Sequence, residues 1–187
     1  VTSVGWKIGN DICYVLEGSV FIAGAAIQWL KDGLKVITSA KESEEISSQL
    51  TDTQGVYIVP AFTGLGAPYW NPNAKGAIFG LTRDTSKEHI IRATVESLAF
   101  QTADVIYAME EDANIKIQTM RVDGGASKND FLLQFQSDIL DKPIIRGDNS
   151  EITALGAAYL AGLAIGFFKD YQHLKELSDE SSSFLPK

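Results

Sequence analysis

The residues Asp123-Gly124-Gly125-Ala126-Ser127-Lys128-Asn129 follow the short run Met120-Arg121-Val122 and precede Asp130-Phe131-Leu132-Leu133. A buried strand that breaks at paired glycines and restarts as a helix, with Asn129 in its first turn, can hold a nucleotide. Glycine has no Cβ, so Gly124 and Gly125 can adopt φ > 0 and let a flat ring come close to the main chain. The unpaired N–H groups of the new helix attract electron-rich atoms. Two glycines ahead of a serine are also an ordinary strand-to-helix loop, since glycine pairs punctuate loops of every kind. Asp123 could orient water or a metal there, although aspartates at strand ends usually accept from nearby loop N–H groups.

The other polar candidates point to structure. His89 falls in the first turn of a helix and His173 close to the end of the sequence, far apart and without metal-ligand spacing, so surface or capping roles are expected. Glu42, Glu44 and Glu45 read as a solvated face. Cys13, the only cysteine, cannot form an internal bridge, and its strand-like setting predicts a small buried hydrophobe instead of a nucleophile.

The elements that must position these residues are legible from spacing. Residues 1–7 and 11–17 are two β-prone runs joined by Ile8-Gly9-Asn10, which suits a tight hairpin. Residues 20–31 predict a helix so dense in apolar side chains that it must be buried on most sides. Residues 41–50 predict a short exposed helix, 56–59 a strand, and 60–75 a long loop rich in glycine, proline and aromatics, which is usually functional or interfacial. Tyr69 and Trp70 in it either pack the loop down or point to a cleft.

Residues 77–81 form the next strand candidate. Thr85-Ser86-Lys87-Glu88 has capping-box spacing and opens a helix to about Asp112, with Ile91, Val95, Leu98, Val105 and Met109 along one side. Then come strand 119–122, helix 129–141, strand 143–146 and helix 153–167. Such alternation implies crossovers onto a parallel sheet, and the hairpin at the front makes the whole sheet mixed. A short helical piece follows Tyr171, and residues 178–187 read as a polar tail.

Sixteen basic against twenty-four acidic side chains leave a formal charge of -8. That balance repels a phosphate backbone and excludes nucleic acid as an expected partner. A length of 187 residues allows one good core, and one domain is expected. With no signal peptide, no long apolar span and a single cysteine, the expectation is a cytoplasmic protein with no membrane span.

From about Tyr14 to Phe168 a set of motifs falls in one register: Leu16-Glu17-Gly18, Ala23-Gly24-Ala25, Ile27-Gln28-Trp29-Leu30, the run from Val59 through Phe62-Thr63-Gly64-Leu65-Gly66-Ala67-Pro68-Tyr69-Trp70, Val122-Asp123-Gly124-Gly125-Ala126, and Thr153-Ala154-Leu155-Gly156-Ala157-Ala158-Tyr159-Leu160-Ala161-Gly162-Leu163. Gly76-Ala77-Ile78-Phe79-Gly80-Leu81, His89-Ile90 and Ala93-Thr94-Val95-Glu96 fit a family-wide signature. On these residues the chain resembles the C-terminal domain of the FGGY carbohydrate kinases, within the superfamily of actin, hexokinase and the heat-shock ATPases. The Phe62 to Trp70 segment and the wording around Asn129 and Gly156 are more similar to members that act on glycerol than to those that act on xylulose, ribulose or gluconate.

The resemblance implies an α/β fold, a ribonuclease-H-like (actin-like ATPase) domain with a mixed sheet flanked by helices and lacking its first strand in this chain. It implies that residues 1–187 are the nucleotide-binding half of a two-domain enzyme, inert alone. The whole enzyme would phosphorylate glycerol to glycerol 3-phosphate with ATP and Mg²⁺, the metal held mainly by phosphates and by residues outside this chain. Four nucleotide contacts carry over: Gly24 and Gln28 beside the ATP, and Gly125 and Asn129 at its adenosine end. Their chemistry is compatible, since Gly24 and Gln28 share a helical face, and Gln28 and Asn129 each offer donors and an acceptor. Spacing alone favours structural roles, Gly24 allowing close helix packing and Gln28 lying at a polar edge, and only the register with the family raises the nucleotide reading. The catalytic base and the polyol contacts would lie upstream, leaving no catalytic residue and no metal ligand here. The implied partners are glycerol, an N-terminal kinase domain and further copies of the enzyme. Competing expectations are another FGGY sugar kinase and a non-catalytic actin-like module that binds nucleotide.

Overall fold

Strand β1 (Thr2–Ile8) turns at Gly9, whose φ is 60°, into β2 (Asp11–Leu16), and the two pair antiparallel with an irregularity between Val4 and Trp6. The computed structural model describes residues 1–147, 151–177 and 181–187. These form two compact units, Val1–Ile117 and Gln118–Lys187. Among the described residues the hairpin is a two-stranded sheet of its own. Cys13, expected to be buried, is therefore only half-buried, and Val4, Ile12 and Tyr14 are exposed.

The next helix starts later than apolar density predicts. Helix α1 is the single turn Gly24–Gln28, continued by a π-helical turn, Trp29–Gly33. Residues 20–23 stay outside it because their neighbourhood is bound elsewhere: Ser19 O accepts from Ala67 N–H at 3.0 Å and Ile22 O from Gln101 Nε2 at 3.2 Å. Ala26 and Leu30 are fully buried, whereas Phe21 is exposed and meets Trp70 edge to face. The burial expected on most sides is thus confined to one side.

Helix α2 (Ala40–Gln49) is capped by Ser39, whose Oγ accepts from Glu42 N–H, while Glu42 Oε2 accepts from Thr38 N–H at 2.6 Å and Thr38 Oγ1 at 2.7 Å. Those donors, backbone first, hold the Glu42 carboxyl below its ordinary value. This contribution is present above the ordinary carboxylate pKa and lost as pH falls through the lowered one. The helix is not exposed all round. Ser43 and Ser47 are fully buried, with hydroxyls donating to Ala40 O and Ser43 O, so small satisfied side chains let α2 lie close against α3.

Helix α3 (Lys87–Ala113) is the longest element described. Ser86 is its N-cap, and the reciprocal partner is His89, whose Nδ1 accepts from Ser86 N–H at 3.0 Å, so the capping box is one residue later than Thr85 and Glu88 suggest. Ile91, Val95, Leu98 and Val105 are buried, as their spacing predicts, and Met109 is half-buried. Strands β3 (Tyr57–Val59) and β4 (Ala77–Phe79) pair antiparallel, and β3 lies against α3. The core gathers Leu30, Ile37 and Ile91 in one cluster and Val56, Ile58 and Ala93 in another.

In the second unit, β5 (Met120–Val122) and β6 (Ile144–Gly147) run parallel around α4 (Asp130–Leu140), as strand-helix alternation predicts. Helices α5 (Ile152–Ala164) and α6 (Tyr171–Glu176) follow. The supposed polar tail is partly a strand: β7 (Ser181–Phe184) pairs antiparallel with β6, which makes β5-β6-β7 the mixed sheet, while residues 178–180 lie outside the described ones. The fully buried Ser137 helps to hold β7, with its Oγ 2.8 Å from Lys142 O and 3.0 Å from Phe184 O. Ser137→Ala is expected to cost about 1–2 kcal/mol and to speed amide exchange in β7 well beyond that in β5. Unchanged β7 exchange would remove the hydroxyl from that role.

Candidate functional site

Strand β5 ends at Val122, and two residues later Gly124 turns the chain with φ 81° and ψ −178°. Those angles are almost closed to residues with a Cβ. Gly125 begins a 3₁₀ turn, Gly125–Lys128, and is exposed, with no atom within 4 Å of where a Cβ would stand. The two glycines therefore do different work. Gly124 bends the main chain, and Gly125 leaves one face of it open. Ser127, which is buried, ties the loop to itself by donating from N–H and Oγ to Gly124 O.

Asn129 lies one position earlier than its expected place in the first turn. It is the N-cap of α4, half-buried, with Oδ1 accepting from Leu132 N–H at 2.9 Å. Capping uses the amide oxygen, so Asn129 can offer a ligand the two protons of its Nδ2. Gly125 and Asn129 belong to one loop, and the backbone at Gly125 is open.

In the first unit Gly24 and Gln28 open and close α1, four residues apart and both exposed. Nothing lies within 4 Å of the absent Gly24 Cβ, so the glycine does not serve close packing. Gln28 Nε2 donates to Asp32 Oδ2 across the π-helical turn, which leaves Oε1 directed by a fixed amide.

The remaining candidates take structural roles. His89 caps α3, and His173 Nδ1 is near Lys169 N–H at 3.4 Å beside the ring of Phe168. Tyr69 Oη donates to Asp104 Oδ2 on α3 at 2.8 Å. That hydrogen bond first, then burial and the carboxylate charge, raises the phenol above its usual pKa. Trp70 rests against Phe21, so the aromatic loop packs on its own unit. Asp123 is exposed. Among the described residues no three His, Cys, Asp or Glu side chains converge as a metal site.

Sequence reasoning missed Arg146 on β6. Its Nη1 donates to Ser127 O at 2.9 Å and to Asp130 Oδ1 at 2.6 Å. A lone arginine at a strand end carries no signature, and only the parallel register that places Arg146 opposite Val122 brings it to the loop.

A glycine-bent loop at the C-terminal end of a parallel strand, opening an N-capped helix, is where α/β domains bind their ligands. The family described as "FGGY family of carbohydrate kinases, C-terminal domain" matches residues 6–165, and the chain belongs to it. Glycerol kinase from Bacillus cytotoxicus is 54% identical over 187 residues, covering 100% of this chain and 38% of that protein. A crystal structure of Plasmodium falciparum glycerol kinase with ADP superposes with a TM-score of 0.92 at 37% identity, over 100% of this chain and 38% of that one. Xylulose kinase from Lactobacillus acidophilus, at 24% identity and TM-score 0.83 over 97% of this chain and 37% of its own, shares the fold. The actin-like ATPase fold expected from the motifs is thereby shown. The chain spans about 38% of the length of the first of these relatives. Among the described residues no helix is long and apolar enough to cross a membrane.

Proposed function

We propose that this chain is the nucleotide-binding C-terminal half of a two-domain kinase that transfers the γ-phosphoryl group of ATP to glycerol. The observation that carries the reading is the likeness to glycerol kinases over the whole chain, at 54% identity in sequence and TM-score 0.92 in structure. In this reading Gly24, Gln28, Gly125 and Asn129 are the chain's nucleotide contacts. The open backbone at both glycines is what such contacts require. Gln28 contributes its Oε1, and Asn129 contributes Nδ2 protons to acceptor atoms of the adenosine.

The glycerol oxygen attacks the γ-phosphorus as its bond to the bridging oxygen breaks, ADP leaves, and the hydroxyl proton passes to a carboxylate of the N-terminal domain. Mg²⁺, bound to the phosphates, supplies charge neutralisation. The N-terminal domain also binds the polyol, and the enzyme works in the cytoplasm as a homo-oligomer.

Coupled ADP release by the full-length protein, offered glycerol, xylulose, ribulose and gluconate with MgATP, tests the reading. Glycerol is expected to be strongly preferred. Preference for a sugar overturns the substrate, and ATP binding without turnover of any polyol points to a non-catalytic module. Within the site, Asn129→Ser keeps an N-cap acceptor and removes the amide donors. It is expected to raise the KM for ATP about tenfold with the KM for glycerol unchanged, and an equal rise in both would exclude an adenosine-side role.

A further inference from the structure

We propose that Arg146 is a positioning residue for the nucleotide loop, acting through Asn129; the proposal rests on the reading of Asn129 as a nucleotide contact. One nitrogen, Nη1, reaches the loop on both sides of that residue, at Ser127 O two positions before it and at Asp130 Oδ1 one position after. The guanidinium is fixed from behind by the mixed sheet. Arg146 pairs in register with Val122, the last residue before the glycine turn, its Nη2 lies 3.4 Å from Ser182 Oγ, and its Cζ lies 5.4 Å from the Phe184 ring centroid. Its side chain is 23% exposed, against 57% for Asp130, so the cation is the sheltered partner and the carboxylate comes to it.

Asn129 is tied forward to α4, its Oδ1 accepting from Leu132 N–H at 2.9 Å and its carbonyl from Leu133 N–H at 3.2 Å, so what the clamp adds is the setting of that helix start against the loop behind it. The Asn129 backbone is extended, with φ −90° and ψ 104°, between a 3₁₀ turn and an α-helix, and its own N–H reaches only Ala126 O, at 3.2 Å. Clamping residues 127 and 130 to one planar, charge-assisted donor fixes the angle between the two turns and thus the direction of the Asn129 amide. The ion pair also puts its carboxylate on the first residue of α4, where the helix dipole favours negative charge. Arg146 touches no ligand in this account. It makes the Asn129 contact ready before ATP arrives.

The test uses the full-length protein with ATP and glycerol as probes. Arg146→Ala is expected to raise the KM for ATP about tenfold, with kcat and the KM for glycerol changed less than about twofold. Arg146→Lys, which keeps the charge without the fork, is expected to recover part of the loss. In the Asn129→Ser background, Arg146→Ala is expected to add almost nothing, because a residue that acts through Asn129 loses its effect when the amide is gone. If Arg146→Ala fails to fold, Asp130→Asn opens one side of the bracket and carries the same expectation. Additive effects in the double variant, or equal losses for ATP and glycerol, overturn the positioning role. If Asn129→Ser raises the KM for ATP and Arg146→Ala does not, this proposal alone fails. If Asn129→Ser has no effect, the site reading fails and the positioning role falls with it.

Discussion

Arg92→Met is expected to destabilise the first unit by about 3–5 kcal/mol, the largest effect of any single polar substitution considered. Arg92 and Glu96 lie one turn apart on α3 and both are buried, with Nε 2.7 Å from Oε1. Arg92 Nη1 also caps the end of α2, donating to Ser47 O at 3.3 Å and to Leu50 O. Removing the guanidinium orphans those carbonyls and leaves a carboxylate in an apolar setting, which costs far more than an exposed ion pair returns. The pH dependence identifies the cause. Burial already raises the Glu96 carboxyl above its ordinary pKa, against the lowering by the Arg92 hydrogen bond and charge and with a further rise from Asp52. A carboxyl raised on folding contributes stability that is present below the unfolded pKa and lost as pH rises through the folded one. Without Arg92 the folded value climbs further. The deficit of Arg92→Met, read from urea melts and from amide exchange in α2 and α3, is therefore expected to be largest near neutral pH and to shrink on acidification. A deficit independent of pH would mean that lost packing outweighs the stranded charge.

What the sequence revealed of this fold depended on how local the determining physics is. Helix α3 was legible because its periodic apolar residues are written within one element, although the capping pair is Ser86 with His89, one residue later than Thr85 and Glu88 suggest. The reversal between β1 and β2 was equally local. The start of α1 was not, since residues 20–23 are held out of the helix by hydrogen bonds to Ala67 and Gln101, 48 and 79 positions away in the pairs Ser19 to Ala67 and Ile22 to Gln101. Strand β7 was invisible for a similar reason: serines have weak strand preference, and the pairing is supplied by β6 and by Ser137. The burial of α2 was missed because its buried residues are serines, which read as polar until their hydroxyls are seen to be satisfied within the helix.

The candidate site divides in the same way. Glycines and an asparagine at a strand-to-helix junction announce themselves by residue type, since few others tolerate the backbone or cap the helix. Their division of labour does not, because only the dihedral angles show that Gly124 bends and Gly125 opens. The use of the Asn129 oxygen as a cap occupies one of its two lone pairs and leaves both Nδ2 protons to the side chain's outer face.

Gly66→Ala is expected to cost about 2–4 kcal/mol and to disturb the first unit where the aromatic loop meets the entry to α1. A Cβ on Gly66 would stand 2.2 Å from Ser19 O and 2.9 Å from Phe21 Cδ1. The first contact is with main chain and cannot be relieved by a rotamer change. The carbonyl is also the acceptor for Ala67 N–H at 3.0 Å, so moving it away breaks the bond that docks the loop. The Ser19 segment runs directly into Ala23, the N-cap of α1, and a displacement there reaches Gly24 and Gln28. In the full-length protein the variant is therefore expected to show faster amide exchange in α1 and a higher KM for ATP, together with the loss of stability. Adding Phe21→Ala separates the two clashes. If the backbone oxygen is decisive, trimming the ring recovers little, whereas full recovery would show that the ring alone excludes a side chain at position 66. Unchanged stability of Gly66→Ala would show that the loop and the Ser19 segment separate at little cost, and the proposed link from the aromatic loop to the α1 contacts would be lost.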